Sequence, residues 1–202
     1  MLDEIVCADC DDIVLPVVSF DEDCLLDVSK SEIVAIFFAL PSAADFEDVS
    51  DPLEWAKRLS QTATPPAGNP LTPVKDLIRK LIVIGDKPLP TETVRAISNN
   101  RSITIDRPRV INITVDQVSD PNYELMRAAE CGNGLPIKFW YLTAGGKLYG
   151  GNKGVQGGFG SARPVLKLGQ VLDRGNDAIE ILSGTISWNN IKSEARVDSP
   201  FN

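Results

Sequence analysis

Four cysteines are the first residues in this chain that could do chemistry. Cys7 and Cys10 form a C-x-x-C pair, Cys24 follows, and Cys131 stands far downstream. A structural zinc site draws on two close pairs of ligands, and the chain has no histidine to complete one. Redox C-x-x-C pairs lead from a strand into a helix, where the thiolate is favoured. This one opens the chain among Asp3, Glu4, Asp9, Asp11 and Asp12, whose charge raises a thiol pKa. The cysteines therefore read as reduced and structural.

The absence of histidine also removes the usual general base and the serine and cysteine triads that depend on it. A small hydrolase using Asp and Ser alone is the enzyme class left open, and no spacing selects it. Gly150 to Gly160 carries six glycines, with Lys153, Gln156 and Phe159 among them. It lacks the phosphate-loop ending, since Gly146-Lys147 runs into Leu148. It also lacks the dinucleotide fingerprint, since Arg163 stands where the third glycine would follow Gly158-Phe159-Gly160. Asp21-x-Asp23 with Asp27 has neither the glycine nor the terminal glutamate of a calcium loop. Trp140 and Tyr141, near Lys138 and Lys147, could form a stacking strip for single-stranded nucleic acid, but aromatics in a strand more often face a core. The reading is that of a non-enzyme, with no catalytic, cofactor-binding or metal-binding residue assigned and no cofactor expected.

The charge is spread unevenly. Residues 1–54 hold fifteen Asp or Glu against the single Lys30, a net of −14, whereas residues 55–202 net +6. An acidic lead joined to a basic body predicts docking of one on the other, in one copy or between copies. Residues 1–30 read as an extended acidic arm, in which Pro16 confines any strand at Ile13 to Phe20 to an edge. The arm is expected to lie on a basic surface of a neighbouring copy. The first residues are too acidic for a signal or transit peptide, and the longest apolar run, Ile33 to Leu40, is far short of a membrane span.

Residues 31–202 read as a single β-rich domain with long loops at 62–73 and 150–160. Ile33 to Leu40 has the composition of a strand buried on both faces. Asp51-Pro52-Leu53-Glu54 opens a helix reaching about Gln61, with Leu53, Ala56 and Leu59 as its apolar stripe and Trp55 alongside. Thr62 to Pro73 holds four prolines and a glycine. Strands are expected at Leu77 to Ile84, Thr93 to Ser98, Ser102 to Asp106 and Val110 to Val118, and a second helix from Asp120-Pro121 to Gly132. A hairpin over Pro136 to Tyr149 turns at Ala144-Gly145-Gly146. Val165 to Leu172 and Ala178 to Trp188 complete the strands, with a bulge expected at Ser183-Gly184. Many short strands, two helices and no βα alternation predict a mainly β protein, an antiparallel β-sandwich or barrel with two short helices and an extended N-terminal arm. The glycine loop is expected to stay mobile in one subunit and to order against another copy through Phe159 and Lys153.

The order of several segments resembles structural proteins of tailed bacteriophages that infect Bacteroidetes-type hosts. These are the Cys-rich acidic start, Ser31 to Phe38, Asp51-Pro52-Leu53-Glu54-Trp55, Asn122-Tyr123-Glu124-Leu125-Met126-Arg127, Phe139-Trp140-Tyr141 and Leu148-Tyr149-Gly150-Gly151. The likeness is one of order and spacing over most of the chain, and within that group it is greatest to tail tube and tail ring proteins. It implies a virion structural protein made in the host cytoplasm, a homo-oligomer forming rings or stacked rings around a DNA channel. Its implied partners are other virion proteins and passing genomic DNA bound without specificity, with no membrane. A capsid decoration protein, a head-to-tail connector and a glycan-binding module are the alternatives.

Overall fold

A computed structural model describes residues 30–62, 64–65, 72–91, 93–97, 101–106, 108–130, 132–151, 154–172, 179–189 and 194–201. Residues 1–29, all four cysteines, and Lys153 lie outside them. So does the expected course of the arm.

The fold is mainly β and antiparallel. One nine-stranded sheet runs in the order β11-β8-β7-β1-β2-β5-β10-β9-β6, and a separate hairpin pairs β3 with β4. The strands are β1 (Ile33–Ala39), β2 (Arg79–Asp86), β3 (Thr93–Ile97), β4 (Arg101–Asp106), β5 (Pro108–Val115), β6 (Leu135–Pro136), β7 (Lys138–Thr143), β8 (Lys147–Gly150), β9 (Val165–Val171), β10 (Ile181–Asn189) and β11 (Ala195–Asp198). β6 and β7 are two pieces of one run broken at Ile137. β6 pairs with β9 while β7 pairs with β1, so the sheet closes on itself as a six-stranded barrel. The strands β8 and β11 flare away from that seam.

Alternation fills the barrel. Ile36, Leu81, Ile111, Ile113, Leu166, Leu182, Ile186 and Phe139 belong to its inner core. Helix α2 (Asp120–Glu130) adds Met126 and Ala129 to it. The outer face of β1, β7 and β8 carries a second core, where Phe37, Phe46, Trp55 and Trp140 pack at ring distances of 4.4–5.8 Å. β1 therefore has apolar cover on both sides, as its composition predicts.

Three local expectations are corrected. Helix α1 (Pro52–Arg58) is capped by Asp51, whose carboxylate accepts from the Leu53 amide at 2.9 Å, but it lasts only seven residues. Its buried residue is Trp55, and Leu53 is 70% exposed. Leu59 has left the helix to bridge Ile78, which explains why the expected stripe does not form. Strand β10 holds one register against both neighbours with no bulge. Leu182, Ile186 and Trp188 stay in phase because Gly184 occupies the inward position between them, where a Cβ would run into the Lys167 carbonyl.

The third correction is the glycine loop. Phe159 is fully buried in the barrel core, stacked on Phe139 with centroids 4.6 Å apart and 5.1 Å from Trp188. Its amide donates to the Phe139 carbonyl at 3.0 Å, and the Ile137 amide donates to Pro164 at 3.1 Å. The loop is the stopper of the seam between β7 and β9. Its glycines serve close approach: a Cβ on Gly158, at φ +52°, would lie 2.7 Å from the Trp140 ring and 2.8 Å from the Phe139 carbonyl.

Candidate functional site

Polar groups converge most densely at the end of the barrel where β2 leaves the sheet. Glu194, just before β11, has a side chain only 6% exposed and pairs with both Lys87 and Arg109, the latter at 3.1 Å. Lys87 also donates to the Tyr141 hydroxyl at 2.9 Å. Tyr141 and Tyr149 lie flat on each other at 4.7 Å, with the Lys87 ammonium 5.3 and 5.9 Å from the two ring centres. Desolvation of such a carboxylate is offset by its two cations and the bonds they donate.

Above the cluster opens a cavity of about 680 Å³. Lys30, Glu32, Asp86, Lys87, Tyr149 and Arg196 are among its walls, so it offers both signs of charge beside an aromatic pair. Lys87 begins the connection to the β3–β4 hairpin.

Burial, then the Glu194 charge and Tyr149, push the Tyr141 hydroxyl well above its ordinary value of 10.0. It is a proton-holding hydrogen-bond partner near neutral pH, not a base. The sign for stability follows. Below pH 10 the contribution is fully present; above it the unfolded chain releases a proton that the folded chain keeps, so stability falls as pH rises. Tyr141→Phe should flatten that alkaline fall. Urea midpoints measured between pH 8 and pH 11 will show a shallower slope for the variant than for the parent, and equal slopes would remove Tyr141 from the alkaline response.

The residues considered for nucleic-acid stacking do other work. Trp140 is fully buried and donates its indole N–H to the Val155 carbonyl at 2.6 Å, and Tyr141 is buried in the cluster. Lys138 is also buried, its ammonium donating to the Ala43 carbonyl at 2.8 Å and pairing with Asp45. This pins the 41–46 segment over the second core. Sequence reasoning did not find the Glu194 cluster, because its members come from four distant parts of the chain. Among the described residues, no group of three or more Cys, Asp or Glu is placed to hold a metal ion, and no helix is long and apolar enough to cross a membrane.

The fold is thus an antiparallel barrel with a second outer core and a projecting hairpin. No family model matches the chain, and neither does any curated protein or solved structure.

Proposed function

We propose that the chain is a virion structural protein, a tail tube or tail ring subunit that self-assembles around a DNA channel. The observation that carries the reading is the β3–β4 hairpin. Every residue of β3 is exposed, including Val94 at 55%, and Leu89 in its stem is 92% exposed. Among the described residues no further strand joins this two-stranded hairpin; such a pair is marginal in water, and apolar residues on it are best buried against another copy. The uneven charge of the chain supports the same reading, since an acidic lead and a basic body favour contacts between copies.

Purified protein should form rings or tubes by negative-stain microscopy, with a light-scattering mass several times that of one chain. Raising salt from 0.1 to 1 M should lower that mass, since the Debye length falls from about 10 to about 3 Å. A monomer at every concentration and salt tested would overturn the proposal.

A further inference from the structure

Strand β11 ends the nine-stranded sheet, and among the described residues its outer edge pairs with no other strand. Its register against β8 sets Ala195 opposite Gly150, Arg196 opposite Tyr149, Val197 opposite Leu148 and Asp198 opposite Lys147. Just past the strand, the Ser199 amide donates to the Gly146 carbonyl at 2.8 Å, which continues that register. In an antiparallel ladder the backbone groups of alternate residues point to opposite edges, so Ala195 and Val197 turn theirs toward β8, as Ser199 does. The amides and carbonyls of Arg196 and Asp198 therefore face the free edge. Their side chains are exposed and share one face of the sheet, with Asp198 paired to Lys147, while Ala195 and Val197 pack on the second core behind.

An open sheet edge is a template for another strand, and charges along it usually ward one off. The charges of β11 invite one partner, a second β11. Two copies of a strand pair antiparallel about a two-fold axis, and the backbone groups bond only where outward residues face outward residues. An axis on Val197 meets that condition and sets Arg196 of each copy opposite Asp198 of the other. An axis on Arg196 or on Asp198 sets that residue across from itself, like charge against like. We infer that β11 pairs with β11 of a second copy about an axis at Val197, joining two barrels through one continuous sheet. Each Arg196 amide then donates to the Asp198 carbonyl of the other copy, and each Asp198 amide to the opposite Arg196 carbonyl. On the charged face the row runs Lys147, Asp198, then Arg196 and Tyr149 of the other copy. Opposite charges alternate along it, and each guanidinium stands beside a phenol ring. The inference goes beyond ring assembly and stands without it, since an isologous pair closes on itself whether or not rings also form.

The test uses the full chain and two single variants, Arg196→Asp and Asp198→Arg, followed by light scattering and residue-resolved hydrogen exchange across a wide range of concentration. In the parent, the amides of Arg196 and Asp198 should gain about tenfold protection as copies pair, whereas those of Val197 and Ser199, already turned to β8, should change little. Either variant alone sets like charges opposite each other at both positions and should need about tenfold higher concentration to pair. Equal amounts of the two variants, mixed, restore opposite charges at both positions and should pair at the parental concentration. Residues 111–115 of β5 should keep their protection in every sample, which shows that the barrel is intact. Single variants that pair as the parent does, or a mixture no better than its components, would overturn the inference. Protection of Arg196 and Asp198 that does not change with concentration would place another part of the same copy on this edge and overturn it too. Parental rings in which those two amides stay unprotected would also overturn it, while leaving the ring reading standing. A parent that keeps the mass of one chain throughout would end both.

Discussion

Phe159→Ala should destabilise the subunit by about 3–5 kcal/mol, the range for a buried aromatic truncated to alanine. The side chain is fully buried among Phe139, Tyr141 and Trp188, with ring centres 4.6, 6.0 and 5.1 Å away. Removing it opens a hole at the barrel seam, where β6 supplies only two register pairs to β9. The strands around the hole are held by their own ladders and can collapse little, so most of the cavity cost remains. Native domains keep about 5–15 kcal/mol in all, so the variant sits near the edge of folding. Thermal unfolding should show a midpoint lowered on the order of 10 °C. A variant with the parental midpoint that fails only to assemble would return Phe159 to the surface role first expected of it.

That reversal shows where sequence reasoning reaches and where it stops. Six glycines in eleven residues have two physical meanings: chain entropy that resists ordering, or an absence of Cβ atoms that lets backbone approach backbone. Composition is the same for both. Only the positions of Trp140 and the Phe139 carbonyl, 2.7 and 2.8 Å from a Cβ built on Gly158, decide between them. Strand β1 was legible because burial on both faces writes itself into every residue from Ile33 to Ala39. Helix α2 was legible because Leu125, Met126 and Ala129 repeat at helical spacing and Gly132, at φ +63°, follows its end. The short elements were not. Helix α1 is too brief for periodicity to outweigh the single large anchor Trp55. Strand β11, Ala195–Asp198, has no pattern of its own and exists because β8 offers it an edge. The separate hairpin was visible as two strands, but that it joins no larger sheet among the described residues is a tertiary fact.

Glu194 is the extreme case of a residue that local reading overlooks, and its removal is the other large effect expected. Lys87 and Arg109 lie 107 and 85 residues away in sequence, so no window joins the three. In the folded chain the carboxylate is a counter-charge that both cations share, and their side chains are only 26% and 13% exposed. Glu194→Ala leaves two positive charges close together with their shared anion gone. Truncating one partner of a buried charge pair costs about 3–5 kcal/mol; the partly exposed cations regain some water, which brings the expectation to about 2–3 kcal/mol. Lys87→Ala in the parent removes a charge that Glu194 stabilises, whereas in the Glu194→Ala background it relieves repulsion from Arg109. The two substitutions should therefore be markedly non-additive, with the double variant more stable than the sum of the singles by 1 kcal/mol or more. Urea unfolding of the four proteins measures that coupling. Additive losses would mean that Lys87 and Glu194 act independently, and that the closest-knit polar cluster of the described fold contributes to its shape without contributing to its stability.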